Sequence, residues 1–258
     1  MPLLEIEGLH VQRGEGAGAY RVELPRLSLE AGEAVAITGE SGCGKSTLLE
    51  SIGLLLAPTR LQRYQLGAAG PIQPLLARRD EHRLAAIRAR HLGFVLQNGG
   101  LLPYLSVRDN IALPRRLTGQ PYPSPQELQA IDTLGLSDRL DAKPQALSIG
   151  ERQRAAFVRA IAHGPSLLLA DEPTAALDPG RARDLFQLML ELVRGLNIAA
   201  LIVSHDWQLV DRFGLRRLQA RPGAGPQAAT RFMETAHDTT PETLRAAGQA
   251  SALESVQP

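Results

Sequence analysis

Gly39-Glu40-Ser41-Gly42-Cys43-Gly44-Lys45-Ser46-Thr47 matches the pattern G-x-x-x-x-G-K-[ST] between an apolar run, Ala34–Thr38, and a helix-forming segment from Lys45 to about Leu56. A strand that turns through glycines directly into a helix is a phosphate cradle. Glycine tolerates φ > 0, so successive N–H groups can converge on one anion, and the helix start adds its positive dipole end. Lys45 is placed to reach the β- and γ-phosphates of a nucleotide, and the Ser46 hydroxyl to hold Mg²⁺. The lysine is informative because it is rare. Of 28 basic residues only Lys45 and Lys143 are lysines. A compact ammonium stands where phosphate chemistry wants a point charge.

Outward from this loop the chain alternates strand and helix patterns, the mark of an α/β fold with an open parallel sheet. Upstream, Leu3–Leu9 reads as an edge strand and Ala17–Leu29 as a second, irregular one. Downstream, Leu92–Leu96 is β-like, Asn98–Leu105 is loop, and residues 106–164 are mostly helical with a break at Gln120–Pro125. Leu167–Ala170 and Ile198–Val203 read as buried strands; between them Arg183–Val193 carries apolar residues at helical spacing. Thr59–Pro74 shows little periodicity. Residues 221–258, rich in Ala, Gln, Thr, Gly and Pro, read as a mobile tail with a short helix near Pro241–Leu253. Arg78, Arg79, Arg83, Arg88 and Arg90 are expected on one helix, either as a solvated face with Asp80 and Glu81 or as a patch for phospholipid or an acidic partner loop.

The chain has 258 residues, enough for one large domain or two small ones, and is 44% hydrophobic and 21% charged with a net charge of +1. That balance argues against a disordered polyelectrolyte and against electrostatic nucleic-acid binding. A single cysteine, Cys43, allows no intramolecular disulfide and suggests a reducing compartment. No apolar run approaches the ~18–20 residues of a spanning helix, and the N-terminus lacks a basic segment before an apolar one. No signal peptide is therefore expected, and membrane association would come through a partner.

Further polar residues stand at the ends of the apolar strands. Leu167–Ala170 runs into Asp171-Glu172, a costly place for two acids unless the strand ends at a cation-containing site. Asp171 could hold Mg²⁺ through water, and Glu172 could polarise an attacking water. Gln97 follows Leu92–Leu96, and His205 closely follows Ile198–Val203. Each alone is weak, but parallel strands deliver their carboxyl ends to one crevice, so Thr38–Gly39, Gln97, Asp171 and His205 converge there. Leu147-Ser148-Ile149-Gly150-Glu151-Arg152-Gln153-Arg154 opens a helix. Ser148 and Glu151 fit a capping box, and the same helix start is an anion site about 100 residues from Lys45.

This ordered set, with Ala176-Leu177-Asp178, resembles the ATP-binding subunit of an ATP-binding cassette (ABC) transporter. Gly93-Phe94-Val95-Leu96-Gln97, Leu101-Leu102-Pro103 and Val107-Arg108-Asp109-Asn110-Ile111 resemble the branch of lipoprotein-release, macrolide-export and division-associated ATPases. The resemblance covers roughly residues 3–220. It implies a P-loop NTPase (RecA-like) core, an antiparallel β edge subdomain, and an inserted α-helical subdomain at about 98–160. It also implies a homodimer in which each ATP lies between Gly39–Thr47 of one copy and Ser148–Glu151 of the other. Within it Ser148, Gly150, Glu151 and Asp178 would contact nucleotide across the interface, and Ser46, Gln97 and Asp171 would serve Mg²⁺. Lys45, Gln97, Glu172 and His205 would be catalytic. The partner implied is an integral-membrane permease, with the ATPase on the cytoplasmic face of the inner membrane; no nucleic acid is implied.

The sequence departs from the family pattern at three places. Ile149 stands where glycine is usual. Arg13 stands near the place of the aromatic that stacks on adenine, with Tyr20 as the other candidate. Thr59–Pro74 lacks the usual Ser-Gly turn. A regulatory ATPase that pulls on a permease-like partner without transport would carry the same motifs.

Overall fold

In a computed structural model, which describes residues 2–15, 19–223 and 229–235, the chain begins with β1 (Leu4–Arg13), β2 (Tyr20–Leu29), β3 (Ala34–Thr38) and α1 (Lys45–Ile52). A short strap follows, β4 (Arg63–Leu66), β5 (Gly70–Pro71), α2 (Gln73–Arg78) and α3 (Glu81–His91), leading into β6 (Leu92–Val95). The helices α4 (Val107–Leu117), α5 (Pro125–Thr133) and α6 (Ile149–Ile161) come next. β7 (Leu167–Asp171), α7 (Pro179–Gly195), β8 (Ala199–Val203), α8 (Trp207–Arg212), β9 (Arg216–Arg221) and β10 (Thr230–Thr235) complete the described chain.

All ten strands share one sheet, in the order β5-β4-β1-β2-β10-β9-β3-β8-β7-β6. The half from β9 to β6 is parallel throughout. β1 pairs antiparallel with both β2 and β4, so the strand expected at an edge is interior and longer than Leu3–Leu9. Alternation in the parallel strands explains why they read as continuous apolar runs. Val35, Ile37, Leu167, Leu169, Leu201 and Val203 face one core, with Leu48, Leu49 and Ile52 of α1. Ala36, Leu168, Ala170, Ala200 and Ile202 face the other, with α6, α7 and α8. Strands buried on both sides need no polar face, and helices on both faces are the solution for a parallel sheet.

Several local expectations change. α1 stops at Ile52 rather than Leu56, because Gly53 caps it and Leu54 takes a left-handed φ of 60°. The strap holds strand pairs despite its weak periodicity; the buried Tyr64 donates its hydroxyl to the Ile52 carbonyl. The arginine cluster is not on one helix, since Arg79 (φ 52°) separates α2 from α3. Arg83 pairs with Asp80, and Arg88 bonds the Leu54 carbonyl at 2.8 Å. The tail expected from residue 221 is in part sheet: Arg221 ends β9, and β10 lies between β2 and β9 with Phe232 fully buried. The helix expected near Pro241–Leu253 lies outside the described residues.

Candidate functional site

The phosphate loop leaves β3 through Gly39 (φ 156°) and enters α1 through Gly44, whose φ of 92° is left-handed. A Cβ at Gly44 would fall 2.5 Å from the Tyr20 ring, so both conformation and space require glycine there. Lys45 is buried, and its ammonium donates to the carbonyls of Gly39 (3.0 Å) and Glu40 (2.8 Å). The charge is thereby held inside the loop, where a phosphate can replace carbonyl partners with stronger ones.

Three strand ends meet above the loop. Glu172 follows β7 with a left-handed φ of 50°, its N–H donating to the Val203 carbonyl at 3.1 Å. This turn points the carboxylate between two neighbours: Gln97 Nε2 donates to Oε2 at 3.1 Å, and His205 Nε2 stands 2.6 Å from Oε1. Arg13, Gly14, Tyr20, Ser41, Gly42, Gly44, Lys45, Ser46, Thr47, Gln97, Glu172 and His205 line one cleft of about 590 Å³. The lining brings an acid, an amide and an imidazole together with a lysine, a guanidinium and an aromatic ring. That set suits a triphosphate with its base attached.

Oxygen donors of the kind magnesium takes are present: Ser46 and Gln97 line the cleft, and Asp171 does not. The Ser46 hydroxyl, the Gln97 amide oxygen and the Asp171 carboxylate are hard oxygen ligands, and the Gln97 nitrogen is already engaged by Glu172, leaving its oxygen for a cation. Asp171 is the last residue of β7, one position before the acid that lines the cleft.

Ser148, Gly150, Glu151 and Asp178 are not brought to this cleft. Ser148 caps α6 in the expected capping box: its N–H donates to Glu151 at 2.7 Å, and the Glu151 N–H donates to the Ser148 hydroxyl at 3.2 Å. These bonds and Arg139, 2.7 Å away, pull the Glu151 carboxyl down to about 2. Ser148, Gly150 and Glu151 open instead onto a separate groove of about 500 Å³ shared with α7, and Ile149 beside them is exposed. Asp178 caps α7, accepting the Arg181 N–H at 3.0 Å. Two residues not anticipated from the sequence hold the Gln97 loop from α6: Gln153 donates to the Gln97 carbonyl at 3.0 Å, and Arg159 donates to Gly100 and Gly99 at 2.6 and 3.0 Å. No local pattern signals them, because they act on a segment about 60 residues away.

A sequence model described as ABC transporter matches residues 23–175. The lipoprotein-releasing system ATP-binding protein LolD of Nitratidesulfovibrio vulgaris is 40% identical over 230 residues, covering 86% of this chain and 94% of its own. LolD 1 of Rhodospirillum rubrum is 43% identical over 188 residues, 72% of this chain and 80% of its own. Among solved structures, the dimeric post-hydrolysis cassette MJ0796 bound to ADP and Pi superposes with a TM-score of 0.69 at 31% identity, covering 84% of this chain and 93% of that one.

Proposed function

The chain belongs to the ABC transporter family, and from that premise we propose that it is the ATPase of a lipoprotein-releasing system, a homodimeric peripheral subunit driving an integral permease at the cytoplasmic face of the inner membrane. The observation that carries this reading is the Glu172 carboxylate, held between Gln97 and His205 over a glycine loop with a buried lysine. No helix among the described residues is long and apolar enough to cross a membrane, which suits a subunit that reaches it through a partner.

The residues divide the work of ATP hydrolysis between them. The backbone N–H groups of Gly39–Thr47 and the Lys45 ammonium hold the β- and γ-phosphates. Glu172 orients a water for in-line attack on the γ-phosphorus and takes its proton, while the bond to the bridging oxygen breaks. Lys45 and His205 stabilise the negative charge spreading over the γ-oxygens. Magnesium, when bound by Ser46, Gln97 and Asp171, would neutralise phosphate charge. Ser148, Gly150, Glu151 and Asp178 belong to the facing copy's nucleotide in this reading. Their separation from the chain's own cleft and the dimeric state of MJ0796 support it.

Reconstitution with the neighbouring-gene membrane protein in vesicles carrying an acylated lipoprotein tests the proposal. ATP-dependent release of the lipoprotein is expected. Turnover coupled to the membrane protein without release would replace transport by signalling, and absence of any ATPase activity would remove the site assignment.

A further inference from the structure

We infer that Gln153 is a positioning residue that couples the Ser148 end of α6 to Gln97. Gln153 is buried, and its amide nitrogen donates to the Gln97 carbonyl at 3.0 Å. Six residues further along α6, the largely buried Arg159 grips the next turn of that loop through the carbonyls of Gly99 and Gly100. Both glycines have left-handed φ, 75° and 58°, which turns the loop onto the helix. No carboxylate pairs with Arg159 among the described residues, so a guanidinium is desolvated for contacts to loop backbone alone.

Gln153 also leaves its own amide oxygen buried without a partner. A polar group that is half-satisfied in a core costs stability, so an apolar residue would serve packing better. The donor is accounted for by what it holds. Gln153 lies five residues after Ser148, about 7.5 Å along the helix axis, and its partner's side chain bonds Glu172 at 3.1 Å. A rigid helix that shifts when Ser148 meets one phosphate therefore shifts the amide beside the other. This coupling rests on the ATPase reading above and adds to it a route between the two ends of the chain's catalytic apparatus.

A double-mutant cycle on the full chain tests it, reading kcat, KM for ATP and the Mg²⁺ concentration for half-activation. Gln153→Leu keeps the volume and removes the donor; kcat should fall about tenfold and the Mg²⁺ requirement should rise, with KM for ATP nearly unchanged because Gln153 does not line the cleft. Combined with Gln97→Ala, Gln153→Leu should add little further loss, as expected of two residues acting through one group. Multiplicative losses, or an unchanged Mg²⁺ requirement, would overturn the coupling while leaving the ATPase reading intact. An unaltered rate in Gln97→Ala would remove both the role of Gln97 and the coupling. Should Gln153→Leu fail to fold, Gln153→Met, unbranched and without a donor, enters the same cycle with the same expectations.

Discussion

His205 Nε2 and Glu172 Oε1 stand 2.6 Å apart, carried by the ends of adjacent parallel strands whose register sets Asp171 opposite Val203. The imidazole and the acid are thus placed by sheet geometry rather than by flexible loops. Gln97 closes the other side of the carboxylate at 3.1 Å. Replacing Glu172 by glutamine keeps the shape and removes the base. Glu172→Gln should bind ATP with near wild-type affinity and turn over at least ~100-fold more slowly, the scale of a general-base contribution. Fluorescent-nucleotide titration beside phosphate-release kinetics checks both halves; near-normal turnover would remove Glu172 as the base.

Arg13 and Tyr20, which line the same cleft, are in different circumstances. The Tyr20 hydroxyl donates to Thr230 at 2.9 Å and its ring packs under Gly44. Arg13 pairs with Glu50 at 3.2 Å, but its side chain is 57% exposed, and an exposed pair of this kind is worth about 0–1 kcal/mol. The guanidinium can therefore leave it to stack on a purine. Arg13→Ala should raise KM for ATP about fivefold with little change in kcat, matching ~1 kcal/mol of lost stacking. Tyr20→Leu, which removes the ring together with the hydroxyl, should leave KM alone and cost stability, including about 1 kcal/mol for the lost hydrogen bond. The reverse pattern in steady-state kinetics would give the base to Tyr20.

The catalytic half of the fold was legible because its signals are local. Glycine spacing at 39–47, apolar runs ending in Asp171-Glu172 and in Ser204-His205, and Ser148 with Glu151 each lie within a few residues of what they build. What was missed depends on distant partners. Leu4–Arg13 alternates as a half-buried strand would, but alternation names a face and not the neighbours, so its interior position between β2 and β4 was invisible. Arg79, expected on one helix with Arg78 and Arg83, instead takes a left-handed φ of 52°, a turn that overrides the good helix propensity of arginine. Thr230 and Phe232 sit in a short mixed segment and pair with strands roughly ten and two hundred positions away, so no window of sequence displays β10.

The capping box at α6 makes a pH-dependent prediction. The Ser148 N–H, then Arg139, draw the Glu151 carboxyl from the usual 4.5 to about 2. A depressed acid contributes stability that is fully present above its unfolded value and lost as pH falls through its folded one. Glu151→Gln should therefore be less stable than wild type at pH 7, with the difference shrinking between about pH 4.5 and 2. Ser148→Ala should cost about 1 kcal/mol for the cap. Urea unfolding followed by fluorescence of Trp207, the single tryptophan, measures each. A difference that grew on acidification would contradict the assigned direction.

β10 joins the two halves of the sheet, running parallel to β2 and antiparallel to β9. Phe232 is its buried anchor, in the same core as Val22, Ile37 and Leu218, while Arg231 pairs with Glu23 at 3.0 Å on the exposed side. Without this strand the facing edges of β2 and β9 would lose their ladder partners, leaving N–H and C=O groups open to wrong pairing. Phe232→Ala should destabilise the chain by about 3–5 kcal/mol, since it empties a closed core position. Arg231→Ala, removing an exposed pair, should cost under about 1 kcal/mol. Because Thr230 of the same strand bonds Tyr20 beneath Gly44, the Phe232→Ala protein should also release a bound fluorescent nucleotide at lower denaturant concentration than global unfolding. Coincident transitions for nucleotide release and Trp207 fluorescence would show instead that β10 contributes only to the stability of the whole.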